Sequence, residues 1–316
     1  MSTALIFPGQ GSQTVGMGKN LVDSFPAAKY VFEEINDALE QKLSEIIFEG
    51  PEKELRLTEN AQPALLCMSM AILAVLKSNF DIDLPRKSTF VAGHSLGEYS
   101  ALAAVGTFSL FDAARLLKKR GLAMQKAVPV GEGAMAAIIG LELADVEIIV
   151  SEVAQNEILA VANDNAPGQV VISGTKNAVE RAIGSAKTKG AKRALLLPVS
   201  APFHCPLMEP AAKIMSDALE KTEMFEPSVP LVSNIAAVPI KNLVEIRELL
   251  VQQVTGRVRW RESVQYMKSQ GVGTLIELGA GKVLSGITKR IDRNLESYSV
   301  DSLSAIEKLA EKLKNI

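Results

Sequence analysis

Short apolar runs alternate with stretches of helical periodicity over residues 1–128 of the 316-residue chain. The runs at 4–7 and 89–92 are short, apolar and followed by glycine turns, which predicts two strands. The stretch at 61–80 is apolar nearly all round, which predicts a buried helix. Further helices are predicted over residues 20–36, 96–105 and 110–128. Alternating strands and helices indicate an α/β domain built on a parallel sheet.

Between Pro129 and Pro198 the pattern changes to a compact unit with the order strand, helix, strand, strand, helix, strand. The predicted elements are 134–141, 143–155, 159–163, 169–173, 176–189 and 194–197. This β-α-β-β-α-β order is typical of a ferredoxin-like domain. We therefore predict a small ferredoxin-like domain, 129–198, inserted into a large α/β-hydrolase-like catalytic domain made of 1–128 and 199–316. In the second part of the large domain, strands are predicted at 229–233 and 274–278 and a last helix at 302–313.

The pentapeptide Gly93-His94-Ser95-Leu96-Gly97 stands between a predicted strand and a predicted helix. Its G-x-S-x-G pattern is that of a sharp turn in which glycines allow backbone to approach backbone and a serine occupies the apex. Glycine and serine are also common turn residues, so the motif alone only nominates Ser95 as a nucleophile.

The choice of a general base is narrow, because the chain has only two histidines, His94 and His204. His94 adjoins Ser95 in the turn, where a neighbouring side chain usually points elsewhere. His204 lies in a proline-punctuated loop at 198–206, of the kind that carries functional residues. We therefore predict a Ser95–His204 pair, which requires the large domain to resume after the insert. A thiol nucleophile at Cys205 is the weaker alternative, since immediate neighbours seldom face each other.

Composition mainly excludes several classes of protein. The chain is 47% hydrophobic and 22% charged, with a formal net charge of −2, which argues against a nucleic-acid or membrane-surface protein. The chain has two cysteines and no C-x-x-C motif, which argues against a disulfide framework and against a zinc site, so we expect no metal. No signal peptide is recognisable and the longest apolar run, 63–76, is short for a membrane span. We expect a cytoplasmic protein.

Three other segments suggest binding sites, but none matches a known motif in full. Gly9-Gln10-Gly11 lacks the third glycine of a dinucleotide fingerprint, because Thr14 stands there, and the following loop has Met17 where a P-loop has lysine. Residues 277–282 follow a strand but match neither phosphate pattern. From periodicity alone, the cluster Lys118-Lys119-Arg120 indicates a solvated helix face.

Six segments together resemble one family, the malonyl-CoA:acyl carrier protein transacylases of bacterial fatty-acid synthesis. The segments are FPGQGSQ at 7–13, GHSLGEY at 93–99, Arg120-Gly121, PGQVVISG at 167–174, Phe203-His204 and ELGAGK at 277–282. They occur in order and extend over nearly the whole chain. The family's common proline in the last segment is Ala280 here, which affects only the rigidity of that turn.

The resemblance implies roles for individual residues. Ser95 would take the malonyl group from coenzyme A as an ester, and His204 would be base and then acid in both half-reactions. Arg120 would pair with the free malonyl carboxylate. The backbone N–H groups of Gln10 and Leu96 would bind the oxyanion, and Gln10 would also contact substrate.

Three further residues are implied less sharply. Gln253 matches a family glutamine whose backbone carbonyl orients the histidine, although the adjacent Gln252 is an alternative. Asn163 and Asn165 both fall at the edge of the small domain that faces the substrate, and the sequence does not choose between them. An aspartate partner for the histidine is not identifiable.

The resemblance also implies the partners: malonyl-CoA and acyl carrier protein, with no cofactor, no nucleic acid and no membrane, and we expect a monomer. Because the family's carrier is acidic, a local basic surface is expected to dock it. Candidate cations are Lys118, Lys119, Lys187, Lys189, Lys192 and Arg193. Selectivity between malonyl and methylmalonyl groups stays open.

Two alternatives to a transferase remain at this stage. A serine hydrolase could use the same turn, although its histidine commonly comes late, whereas more than a hundred residues follow His204. A non-catalytic binding protein could use the turn at 93–97 only to hold an anion at a helix N-terminus. That protein would not need His204, Arg120 and Gln10 to converge, so their distances separate the alternatives.

Overall fold

A computed structural model describes residues 2–314 of the chain. Up to residue 128 its elements are β1 (Ser2–Phe7), α1 (Lys19–Ser24), α2 (Pro26–Leu39), α3 (Leu43–Glu49), α4 (Glu52–Arg56), α5 (Thr58–Phe80), β2 (Phe90–Gly93), α6 (Gly97–Ala104) and α7 (Leu110–Lys126). The helix predicted over 20–36 is two helices, because Phe25 precedes a proline and is extended (φ −133°, ψ 118°). Helices α3 and α4 are not predicted by the sequence pattern, since each is too short for a clear periodicity.

The six elements predicted between 134 and 197 are all present. They are β3 (Gly133–Ile139), α8 (Leu143–Val153), β4 (Leu159–Ala166), β5 (Gln169–Thr175), α9 (Lys176–Thr188) and β6 (Arg193–Leu196). The strands form an antiparallel sheet in the order β4-β5-β3-β6, which we call the small sheet. Helices α8 and α9 pack against it and against each other, around a separate apolar core that includes Ile138, Ile149 and Ile172.

The remaining elements are α10 (Glu209–Glu220), β7 (Leu231–Val232), β8 (Pro239–Ile240), α11 (Leu243–Thr255), α12 (Trp260–Ser269), β9 (Val272–Leu278), α13 (Val283–Ile291), β10 (Glu296–Val300) and α14 (Leu303–Lys314). The sequence analysis predicted only β7, β9 and α14 among them. Strand β7 is shorter than the predicted 229–233, and β8, also of two residues, is too short to show an alternating pattern.

The second sheet has six strands in the order β10-β9-β1-β2-β7-β8, and we call it the large sheet. Its pairs are parallel, as predicted, except that β8 runs antiparallel to β7. The connection between β7 and β8 is too short for the crossover that parallel neighbours require, so the chain returns as a hairpin. Phe7 at the end of β1 is paired with Gly93 at the end of β2, so the loops that follow these strands are neighbours.

Helix α5 is the longest helix and lies in the main apolar core, outside the small sheet. It is long and apolar enough to cross a membrane by length and composition alone. However, 67% of its apolar window is buried within the protein, where α2, α6 and α7 pack against it. This is the environment of a buried helix, as its uniform apolarity predicts.

Candidate active site

Ser95 lies at the apex of a tight turn between β2 and α6, with φ +53°. Glycines make this turn possible. A Cβ on Gly93 would lie 1.9 Å from the carbonyl carbon of Gly97, and a Cβ on Gly97 would lie 2.4 Å from the carbonyl oxygen of Phe7. Only glycine fits at both positions, because backbone atoms cannot yield by such distances. The turn therefore holds Ser95 in a left-handed conformation beside the carboxyl ends of β1 and β2.

His204, which follows the strands of the small sheet in the chain, completes the predicted pair. The Ser95 Oγ lies 2.7 Å from Nε2 of His204. The other ring nitrogen, Nδ1, faces the carbonyl oxygens of Gln253 at 2.8 Å and Gly256 at 3.2 Å. Carbonyl oxygens only accept, so this network assigns the proton to Nδ1 and leaves Nε2 to accept the Ser95 hydroxyl proton. The carbonyl of Gln252 accepts instead from the N–H of Gly256 at 2.8 Å.

The histidine is kept in its neutral form. Burial is the main cause that lowers the pKa of His204 to about 3, and the nearby cation of Arg120 adds to it. The bonds from Nδ1 to the two carbonyls act in the opposite direction but do not outweigh burial. The imidazole is therefore unprotonated near neutral pH, which is the form that can take a proton.

Arg120 is fully buried, at 1% exposure, so the solvated-face interpretation of its cluster is wrong for this residue. Helix α7 turns Lys119 to solvent and Arg120 into the protein. Its Nη1 donates to Oε1 of Gln62 at 2.9 Å, and its Nη2 donates to Oγ of Ser95 at 3.1 Å and to Oε1 of Gln253 at 2.8 Å. Its Nε–H has no acceptor among the described residues. The guanidinium is thus a fixed cation beside the serine hydroxyl.

A cavity of about 320 Å³ opens onto these groups. Ser95, His204, Arg120, Gln10, Leu96, Asn163 and His94 all line it, with an apolar wall that includes Met124, Met135, Leu197, Val199 and Phe203. Within residues 2–314, the backbone N–H groups of Gln10 and Leu96 donate to no protein acceptor, so both are free beside the serine. Asn165 is absent from the lining, and its Oδ1 instead lies 2.8 Å from Nε2 of His94.

Two buried residues that the sequence analysis did not assign connect these groups. Glu98, in the first turn of α6, accepts from the backbone N–H of Asn234 at 2.6 Å and from the side-chain amide of Gln253. Asn234 follows β7, and its side chain accepts from the N–H of Ser95 at 2.8 Å and donates to the Gly93 carbonyl at 2.7 Å. Acidic residues are common in the first turn of a helix, so Glu98 carried no distinct signal in the sequence. Asn234 had none beyond its position after a strand.

A serine on a strand-turn-helix elbow, a neutral histidine and a buried arginine at the carboxyl edge of a parallel sheet form a site suited to acyl transfer through the serine. In agreement, a model of the family described as acyl transferase domain matches residues 4–306. The chain is 46% identical to the malonyl CoA-acyl carrier protein transacylase of Bacillus subtilis, over 98% of this chain and 97% of the relative. It is also 46% identical to the protein of the same name from Escherichia coli K12, over 96% and 97%.

Solved structures agree with these relatives. The acyl-carrier-protein S-malonyltransferase of Bartonella henselae has a TM-score of 0.97 and 54% identity, covering 99% of this chain and 100% of its own. A malonyl-transacylase in complex with its type II PKS acyl-carrier protein has a TM-score of 0.95 and 44% identity, covering 99% and 100%. The chain belongs to the family of malonyl CoA-acyl carrier protein transacylases.

Proposed function

We propose that this protein transfers a malonyl group from coenzyme A to the phosphopantetheine thiol of acyl carrier protein, for fatty-acid chain elongation. The observation that carries the proposal is the buried guanidinium of Arg120, whose Nη2 lies 3.1 Å from the Oγ of a serine already paired with a histidine. A malonyl group differs from an acetyl group by one carboxylate, and a guanidinium is the side chain that pairs with a carboxylate through two hydrogen bonds. The names of the relatives support the same substrate and carrier.

In the first half-reaction Ser95 Oγ attacks the thioester carbon while its proton passes to Nε2 of His204. The carbon–sulfur bond then breaks, and the coenzyme A sulfur leaves with the proton from His204. The product is a malonyl ester on Ser95. Such an exchange needs only a positioned base and nucleophile, so we propose that no cofactor or metal takes part.

The tetrahedral intermediate carries a negative oxygen that needs donors. The free N–H groups of Gln10 and Leu96, which line the same cavity as Ser95, support the assignment of both as the oxyanion site. Removing one such donor elsewhere costs about 3 to 4 kcal/mol of transition-state stabilisation. Gln10 also faces the acyl group, and Asn163 is the better candidate than Asn165 for a substrate contact, since it alone of the two lines the cavity.

In the second half-reaction the carrier thiol gives its proton to His204 and attacks the ester carbon. The ester bond to Ser95 breaks, and Oγ takes the proton back from Nε2. The carbonyl of Gln253, rather than that of Gln252, is the histidine-orienting group in this proposal, because only the former lies 2.8 Å from Nδ1.

We further propose the domain division predicted from the sequence, with a ferredoxin-like domain at 129–198 inserted into an α/β-hydrolase-like domain at 1–128 and 199–316. The separate apolar core of the small sheet and its strand order support this division. The insert would supply Asn163, on β4, to the cavity.

For carrier docking we retain the basic residues nominated above. They fall into two groups, with Lys118 and Lys119 on α7 and the other four on or beside α9 and β6. Lys118 already donates to Gln41 at 2.7 Å and Asn60 at 3.0 Å, and Lys189 pairs with Glu152 at 2.6 Å. We therefore test Lys187, Lys192 and Arg193, the exposed remainder of the second group. A cytoplasmic monomer remains part of the proposal. If mutating Lys187, Lys192 and Arg193 leaves the KM for the carrier unchanged at low salt, this docking surface is wrong.

Intact-mass measurement after exposure to malonyl-CoA tests the function directly. We expect one malonyl adduct on the wild-type chain, none on Ser95→Ala, and release of the adduct only when the carrier thiol is added. Release by water alone would identify a hydrolase, and the absence of any adduct would identify a binding protein. An adduct on Ser95→Ala would refute the mechanism.

A further inference from the structure

Glu98 is a buried carboxyl group within the network that surrounds the candidate active site, although it touches neither the cavity nor His204. It is 1% exposed, and its two oxygens face two different donors. One accepts from the backbone N–H of Asn234 at 2.6 Å, and the other accepts from Nε2 of Gln253. Both oxygens of this buried carboxyl group must therefore accept a hydrogen bond. An ionised carboxylate can do so, whereas an amide has only one accepting atom.

The Gln253 side chain connects Glu98 with Arg120. Its Nε2 donates to Glu98 and to the carbonyl oxygen of Ser95 at 2.8 Å, so its Oε1 is turned the other way. That oxygen accepts from Nη2 of Arg120 at 2.8 Å. The same nitrogen of Arg120 donates to Oγ of Ser95. The orientation of one amide therefore decides whether the guanidinium meets an acceptor or a donor.

We propose that Glu98 is a positioning residue that acts through the side-chain amide of Gln253 to hold the Arg120 guanidinium in the orientation that receives the acyl carboxylate. This proposal rests on the proposed function, since it assigns the carboxylate of the acyl group to Arg120. It adds a determinant of acyl selectivity that lies outside the cavity.

Replacing Glu98 by glutamine puts an NH₂ group where one carboxylate oxygen accepted a hydrogen bond. The N–H of Asn234 cannot turn, because it belongs to the backbone, so the new amide must present its oxygen there. Its NH₂ then opposes Nε2 of Gln253, donor against donor. Relief requires the Gln253 amide to rotate, which turns an NH₂ toward the Arg120 guanidinium and leaves that cation without its acceptor.

Burial raises the pKa of Glu98 to about 8, while the donors from Asn234 and Gln253 and the cation of Arg120 oppose that rise. The comparison is therefore made at pH 9, where the carboxylate is ionised. The measured quantity is the ratio of Ser95 acylation rates with malonyl-CoA and with acetyl-CoA, by intact mass. Acetyl-CoA lacks the carboxylate, so its acylation rate contains no carboxylate–Arg120 pairing and depends less on the orientation of the guanidinium, which still contacts Ser95 Oγ.

We expect Glu98→Gln to lower the malonyl-to-acetyl ratio by about tenfold or more, the effect of losing one hydrogen bond to a charged group. Acetyl acylation should fall much less. Gln253→Ala should lower the ratio too, while its backbone carbonyl still serves His204. Because Glu98 acts through Gln253, the double variant should show no lower a ratio than Gln253→Ala alone.

A matched control is Glu277→Gln. Glu277 is also a fully buried carboxyl, and it accepts from the N–H groups of Leu284 and Ser285 at the start of α13, away from the cavity. It should leave the ratio unchanged even if the protein becomes less stable. If Glu98→Gln fails to fold, Glu98→Asp replaces it in the same set of single and double variants. The shorter side chain withdraws the carboxylate by one methylene.

Two results would overturn the inference: an unchanged ratio in the Glu98 variant, including the case of equal losses for both substrates, or losses that multiply in the double variant. Each leaves the proposed function intact, provided that the wild-type chain is acylated by malonyl-CoA and prefers it. Failure of wild-type acylation would instead refute the proposed function itself, so the two failures are distinguishable.

Discussion

Arg120→Ala offers the most direct test of what the candidate site selects. The guanidinium is buried, and its Nη2 is aimed at the serine oxygen that would carry the acyl group. A bound carboxylate would accept two parallel hydrogen bonds from it, each worth about 1.5 to 3 kcal/mol when a charged group takes part. Losing both removes about 3 to 6 kcal/mol, which is a fall of roughly 10² to 10⁴ in malonyl acylation.

Acetyl acylation gives the internal reference, because an acetyl group has no carboxylate to lose. We expect it to fall far less in Arg120→Ala, and Arg120→Lys to be intermediate, since it keeps the charge but not the fork. Both rates are measured by rapid mixing and intact mass. Arg247→Ala is the control, because Arg247 donates to the Leu219 carbonyl on α10 and does not line the cavity. Equal losses for malonyl and acetyl would refute the assignment of Arg120 to the carboxylate.

Three further predictions concern the base, the elbow and the small sheet. With the pKa of His204 lowered to about 3 from 6.5, malonyl acylation should stay level between pH 7 and about 5, and a half-maximal rate near pH 6.5 would contradict this. The unfolded chain protonates that histidine first, so the free energy of unfolding should fall as pH drops below 6.5. Gly93→Ala should fail to fold, whereas Gly184→Ala, which meets no atom within 4 Å, should be stabilised by about 0.5 to 1 kcal/mol in urea denaturation; a folded, active Gly93→Ala protein would disprove the steric argument. Asp164→Asn breaks a buried pair with Arg261 at 2.9 Å that joins β4 to α12, and urea denaturation should register a loss of about 3 kcal/mol, a change below about 1 kcal/mol being inconsistent with it.

The predicted elements include short apolar strands followed by glycine turns, the apolar helix α5 and the amphipathic helix α7. The small sheet, with its amphipathic α9, was read correctly element by element. Helices α10 to α13 were missed, although α12 is strongly amphipathic and begins at the buried Trp260. Strand β7 was predicted but its antiparallel partner β8 was not, because a two-residue strand carries no pattern and forms only by pairing with β7.

The candidate site divides in a similar way. Ser95 and His204 could be nominated from a turn motif and a count of histidines, because both are signals carried by residue type. Arg120 was nominated only through the family resemblance, since its helix presents Lys118 and Lys119 beside it and periodicity alone favours solvent for all three. Only tertiary packing against Gln62 turns that one side chain inward. Glu98 required knowledge of what lies opposite it, which no single sequence contains.

The separation of charges around Ser95 explains why a carbonyl, and not a carboxylate, holds the histidine. A carboxylate behind His204 would raise its pKa and add a second anion near the one that the substrate brings. Here the buried carboxyl group is that of Glu98, and the amide of Gln253 stands between it and Arg120 while the backbone carbonyl of the same residue accepts from His204. Gln253 thus holds the base through an uncharged carbonyl and joins Glu98 to the guanidinium through an uncharged amide. The arrangement keeps His204 neutral and Arg120 charged, which are the two states that transfer of a carboxylate-bearing acyl group requires.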